Sequence, residues 1–228
     1  MDPRADEGNE AAGRLTFWPA VISAAYAPLG WRRARFVLSL IRPHLPAGPV
    51  LDLGAGTGHT AALLSKEGWA VTMADVPPHA GALGQRLVAR PIAAWLSRDF
   101  GVPHVLYGGA VLPFADRSFE SVLLAFVLHH CPDPQATLRE AARVCGGPVL
   151  VLEDGDDILP GRLERLTDAL VNLEFGHPHA ERSRAGWLDL FAACGLGVRH
   201  EHGFTSRFGG LRRRHRLYVL QSLVMWPG

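Results

Sequence analysis

Apolar residues along this chain follow two rhythms that alternate with one another. Short, nearly continuous apolar runs at 49–53, 69–75, 103–107, 118–126 and 149–153 read as strands covered on both faces. Between them, apolar residues recur at spacings of three and four. The segment 31–45 carries them at 36, 37, 40 and 41 with arginines opposite, and Pro43 and Pro46 end it. A helix is expected from Thr57 to Glu67, stopped by Gly68, and Pro77-Pro78 opens a further helical stretch that Pro91 must kink or divide. The best defined helix follows Asp133-Pro134, an N-cap and first-turn proline, with apolar residues at 138, 141, 142 and 145 before Gly146-Gly147. Leucines at 163, 166, 170 and 173 mark another helix, and 183–193 one more. Strands near 196–202 and 217–223 are separated by residues without helical pattern and should pair as a long hairpin. Strands alternating with helices predict an α/β fold with a doubly wound, mostly parallel sheet.

At 228 residues and 48% hydrophobic content, the chain can bury one core, so one domain with small additions is expected. Residues 1–14 are polar and acidic and read as a disordered tail. Residues 15–46 read as an N-terminal helical cap, and 47–228 as the α/β domain. The apolar stretch from Leu15 to Trp31 is broken by Pro19, Pro28 and Gly30, which suits a lid over a pocket better than a membrane anchor. No membrane partner is expected. Cys131, Cys145 and Cys194 lack Cys-x-x-Cys spacing, so neither a disulfide framework nor a zinc site is indicated, and a cytoplasmic setting is the simplest expectation. A net charge of +1 points neither toward nor away from a polyanion.

The chemistry concentrates in Val50-Leu-Asp52-Leu-Gly54-Ala55-Gly56-Thr-Gly58 and in the run that ends at Asp75. Strand, glycine loop, helix, strand and carboxylate in that order build a nucleoside-binding crevice at the carboxyl edge of a sheet. Asp75 is placed to bind a ribose diol through charge-assisted hydrogen bonds. His59 stands where a dinucleotide fingerprint needs its third glycine, so NAD and FAD fit poorly. A phosphate-cradling loop would need Gly-Lys-Ser/Thr, and the single lysine, Lys66, is misplaced for it.

The remaining pattern, Asp52-x-Gly54-x-Gly56-x-Gly58 with Asp75, resembles the class I S-adenosylmethionine-dependent methyltransferases. Two further stretches extend the likeness over 48–155. Leu112-Pro-Phe114-Ala-Asp116-Arg-Ser-Phe-Glu120 is similar to the "LPF-D-SFD" segment of small bacterial members, and Phe126-Val-Leu-His129-His130-Cys-Pro-Asp133-Pro134 to their "LHH-PDP". The resemblance implies a Rossmann-like doubly wound seven-stranded sheet, mostly parallel with an antiparallel last strand and helices on both faces. It makes 47–228 the methyltransferase domain. It implies S-adenosylmethionine as cofactor, held by Asp52, Gly54, Ala55, Gly56, Asp75, Val76, Gly108, Gly109, Ala110 and Phe126. One departure stands out: the acid that family members place four positions before "LPF", on the adenine amino group, is Gly108 here. Adenine is then left to backbone groups, apolar walls or Asp116, and weaker cofactor affinity is expected.

Transfer from a sulfonium needs the acceptor held in line rather than a covalent nucleophile. A hydroxyl acceptor must also lose a proton. His129 and His130 follow the fourth strand, while Glu153 and Asp154 end the fifth. By resemblance to small-molecule O-methyltransferases, His129 would be the base and Asp154 its orienter, with His130 beside them; a His129 that only packs or bonds backbone stays possible. Glu174, His177 and His179 offer too few ligands for a closed metal site and suit an acceptor-side loop or a solvated turn. No metal is expected. Arg212 to Arg216 reads as a solvated hairpin tip, so a nucleic-acid partner is not favoured. The expected function is methyl transfer to a small-molecule acceptor, at oxygen. RNA methylation, a rearrangement at the same cofactor site, or a binding protein without turnover remain open, and neither the acceptor's identity nor the oligomeric state can be read.

Overall fold

A computed structural model of the chain describes residues 21, 24, 26–78, 84–154, 182–208 and 211–223. The 1–14 tail, the start of the cap, the leucine-rich stretch and Glu174, His177 and His179 lie outside them. Seven strands form one sheet in the order β3-β2-β1-β4-β5-β7-β6. They are β1 Val50–Leu53, β2 Val71–Asp75, β3 His104–Leu106, β4 Ser121–Ala125, β5 Val149–Asp154, β6 Leu196–Phe208 and β7 Leu211–Ser222. β1 to β5 pair in parallel, and β7 runs against both of its neighbours, β5 and β6. The doubly wound sheet with one antiparallel strand is therefore present as expected.

Alternation of side chains along each strand sorts the core into two layers. On one face, Leu51, Leu53, Val122, Leu124, Val149, Val151 and Tyr218 pack under α4 (Pro134–Val144) and α5 (Arg184–Ala193). On the other, Val50, Val71, Met73, Leu123, Leu150, Leu152, Leu217 and Val219 pack under helix α1, 26–41, and α2 (His59–Lys66). α3 (Arg90–Phe100) completes this second layer through Ile92 and Leu96. Pro91 sits in the first turn of α3, where its missing N–H costs nothing, and the preceding Gln85–Ala89 forms a wider π turn. The sequence thus divided the helix where the proline required it.

The closing hairpin is longer than its apolar pattern. β6 has 13 residues and β7 has 12, because polar residues outside the core continue the ladder. Arg216 reaches Glu201 across the strands at 2.6 Å, and Arg184 of α5 clasps the same carboxylate at 2.6 Å. Arg212 to Arg216 consequently lies within β7 close to the hairpin turn, with Arg212 opposite Arg207 in register and Arg214 exposed.

Candidate active site

The glycine loop leaves β1 at the carboxyl edge with Gly54 and Gly56 at φ of 76° and 58°. A Cβ on Gly54 would stand 2.6 Å from Val127 Cγ2, so only glycine lets the loop cross the tip of β4. Above Gly56 the space is open: the nearest atom to a Cβ there would be the Gly54 carbonyl oxygen at 4.0 Å. A ligand can approach this backbone directly. His59 opens α2 and is buried, with its ring edge-on to Trp31 at 4.9 Å and tilted on Tyr26 at 5.9 Å. Burial pushes its pKa down to about 4, which keeps the ring neutral, and its Nδ1 lies 3.0 Å from Thr57 Oγ1. α1 is fastened beside the glycine loop through this ring.

Two carboxylates flank the loop. Asp75, ending β2, accepts from the Gly56 N–H at 3.4 Å through Oδ1 and lies 3.0 Å from His104 Nε2 through Oδ2. Asp52 in β1 is 3% exposed, and its Oδ2 has no hydrogen-bond partner among the described residues. Burial first, then the charge of Asp75, raises its carboxyl to about 7, against the opposing pull of the Ala61 backbone N–H. A buried acid with one unpartnered oxygen beside an open glycine cradle fits a cationic ligand with a ribose.

Gly108 is exposed, and nothing lies within 4 Å of where its Cβ would be. The alternative offered for adenine, Asp116, is 62% exposed and bonds through one oxygen to α4. Arg143 of α4 donates to Asp116 Oδ1 at 2.7 Å, to the Phe114 carbonyl at 2.9 Å and to the Leu112 carbonyl at 3.0 Å. Glu140 binds the same guanidinium at 2.8 Å and accepts the Leu112 N–H at 2.8 Å. The "LPF" segment is therefore strapped to α4 by an Arg–Glu clamp.

The tip of β4 carries the third part of the site. Phe126 takes φ of 62°, a conformation that costs a residue with a Cβ on the order of 1 kcal/mol or more. That turn aims the next two N–H groups at one carboxylate: Val127 and Leu128 donate to Glu153 Oε1 at 3.0 and 2.6 Å. Glu153 Oε2 holds His129 Nδ1 at 2.6 Å. The acid is fully buried and the histidine side chain is 14% exposed. With Nδ1 donating to a carboxylate, the neutral ring carries its lone pair on Nε2.

This corrects the expected pairing of His129 with Asp154. Strand alternation puts 153 on the α4/α5 face, in phase with 149 and 151, and 154 on the α1/α2 face. Asp154 instead holds His215 Nδ1 at 2.5 Å, and its carbonyl accepts from Trp187 Nε1 at 2.9 Å. His130 lies against His129 with ring centroids 4.0 Å apart. Glu153 was readable from the phase of β5; His215 carried no motif. Among the described residues no group of three or more His, Cys, Asp or Glu side chains could hold a metal ion, and no helix is long and apolar enough to cross a membrane.

The protein family described as "Methyltransferase domain" matches residues 51–148. A demethylmenaquinone methyltransferase of Corynebacterium urealyticum is 36% identical over 118 residues, 51% of this chain and 46% of that protein. A ubiquinone/menaquinone biosynthesis C-methyltransferase of Legionella pneumophila is 32% identical over 143 residues, 58% of this chain and 51% of the other. The chain thus spans about half the length of these relatives. Among solved structures, an S-adenosylmethionine-dependent methyltransferase of Methanosarcina mazei superposes with a TM-score of 0.65 at 19% identity, over 82% of this chain and 98% of that one. The [4+2]-cyclase SpnF does so at 0.61 and 16%, over 86% and 82%. The glycine loop, its two flanking acids and the β4 tip all fall within residues 51–148, the segment similar to the methyltransferase-domain family, and the fold is that of solved S-adenosylmethionine-dependent methyltransferases.

Proposed function

We propose that this protein moves the methyl group of S-adenosylmethionine to a hydroxylated aromatic small molecule, with His129 taking the hydroxyl proton and Glu153 orienting it. The observation that carries this reading is the 2.6 Å bond from His129 Nδ1 to a fully buried carboxylate, one turn from the glycine loop's neighbour Val127. The cofactor, when bound, supplies a methyl group on a sulfonium that is already a good leaving group. Gly54, Ala55 and Gly56 would approach it through backbone, and Asp75 would hold the ribose. Val76, Gly108, Gly109, Ala110 and Phe126 would line the base and the reacting end, with Asp52 answering its positive charge. The described part of the expected cap, α1, would form a cover on that side, a role supported by Arg33 lying 4.9 Å over the Phe126 ring.

The protein's own work is positional and protonic. Glu153 fixes the tautomer that presents Nε2 as acceptor and compensates the charge the ring gains with the proton. A phenoxide made this way can be methylated at oxygen, the atom expected from the "LHH" resemblance. The names of the quinone-pathway relatives favour ring carbon. Either product satisfies this reading. Purified protein given labelled cofactor and a panel of benzene and naphthalene hydroquinones should yield a methylated small molecule. His129→Ala should lower turnover roughly 100-fold or more while cofactor affinity changes little. A panel without product, or a variant of near-normal rate, would contradict the proposal.

A further inference from the structure

One histidine–carboxylate pair serves the base described above; besides Asp75–His104 on β2 and β3, the tips of β4 and β5 carry another. Asp154 and His215 meet at 2.5 Å, with side chains 36% and 6% exposed. The His215 ring stands edge-on to Phe126 at 5.0 Å and tilted on Phe204 at 5.3 Å. Arg33 covers Phe126 from α1 at 4.9 Å, and Phe36 closes the row against Phe204 at 5.5 Å. Phe126 is the joint between the two pairs. Its positive φ sends the following N–H groups to Glu153 on one face, while its ring touches His215 on the other. The tips of β4 and β5 are therefore flanked by two proton-accepting pairs, with an aromatic wall beside the second.

Methylation at oxygen has no use for two. The oxygen loses its hydroxyl proton and bonds to the methyl group as the methyl–sulfur bond breaks, so one base suffices. Methylation at a ring carbon has two proton steps. His129 takes the hydroxyl proton, and a carbon ortho to the phenoxide bonds to the methyl group as the methyl–sulfur bond breaks and its electron pair stays on sulfur. That carbon now holds both hydrogen and methyl, the ring has lost aromaticity, and the oxygen is a carbonyl. A base must remove the C–H proton, whose electron pair restores the ring and the phenoxide. His129 cannot be that base, because it already bears the first proton and returns it to the oxygen. The net proton leaves through the second base.

We propose that His215, oriented by Asp154, is this second base, and that the acceptor is a planar hydroxyarene seated by Phe126 and Phe204 and methylated at ring carbon. The proposal rests on the reading of His129 and Glu153 given above. A hydroquinone deuterated at the methylated position provides the test, with cofactor binding and circular dichroism as controls on each variant. The wild-type product should carry its methyl on carbon and show no ring isotope effect, because methyl transfer limits the rate. His215→Gln should lose ~10-fold or more in turnover and show a several-fold primary isotope effect as C–H removal becomes limiting, with cofactor affinity retained. Asp154→Asn should show the same isotope effect with a smaller loss of rate. A methyl ether product, a slow His215→Gln without an isotope effect, or a variant of near-normal rate would overturn the second base alone. Wild-type protein that methylates no hydroxyarene would overturn both readings.

Discussion

At the scale of single residues, the site is defined by where charge is buried. Asp52 holds its proton up to about pH 7 in the folded chain, whereas an unfolded carboxyl releases it near pH 4. Below pH 4 both states are protonated and the residue is neutral to stability. Between pH 4 and 7 the folded state keeps a proton that the unfolded state has lost, so its contribution becomes less favourable as pH rises, with the full cost, on the order of 4 kcal/mol, reached above pH 7. Asp52→Asn should therefore be more stable than wild type at pH 8 in urea unfolding, with the gap closing toward pH 4. Cofactor binding, which brings positive charge, should release a proton near pH 6.5, and calorimetry in buffers of different ionisation enthalpy would detect it. Buffer-independent heats would contradict the assignment of Asp52 to the cofactor. Gly108→Asp has the room to place a carboxylate beside adenine, and a charge-assisted bond of about 1.5 kcal/mol predicts roughly tenfold tighter cofactor binding. Glu153→Gln keeps an oxygen for the Val127 and Leu128 N–H groups but offers its amide N–H to His129 Nδ1. The ring proton is thereby forced onto Nε2, and turnover should fall about 100-fold or more with folding intact.

At the scale of elements, the Leu112–Asp116 segment is held less by its own sequence than by α4. Arg143→Ala should loosen it and cost about 2 kcal/mol, read from the urea midpoint, chiefly through the Leu112 and Phe114 carbonyls. The Asp116 contact should add little, since its side chain is 62% exposed. What the sequence made legible follows the same logic. β1, β2, β4 and β5 are covered on both faces and so read as apolar runs, and α4 announced itself by Asp133, whose Oδ1 accepts from Ala136 N at 2.9 Å. The outer halves of β6 and β7 were not legible because their ladder is built from backbone bonds, which leave no apolar pattern. Glu153 was named but its role given to its neighbour, because adjacent acids on a strand tip serve opposite faces and only the phase of β5 tells them apart; His215, 61 positions from Asp154, has no local spacing to betray it.

At the scale of the whole molecule, the parallel sheet brings the ends of β1, β2, β4 and β5 to one edge, gathering Asp52, Asp75, His129 and Glu153 from separate segments. The fold alone does not choose the reaction, since a methyltransferase and a [4+2]-cyclase share it at TM-scores of 0.65 and 0.61. What chooses is the chemistry at that edge, where the proposed cofactor cradle lies next to His129 held by Glu153. The most direct measurement is to incubate the protein with methyl-labelled S-adenosylmethionine and a cell extract and to locate the label by mass. The account predicts label on an aromatic small molecule, lost with His129→Ala. Label on RNA, or no transfer at all, would contradict it.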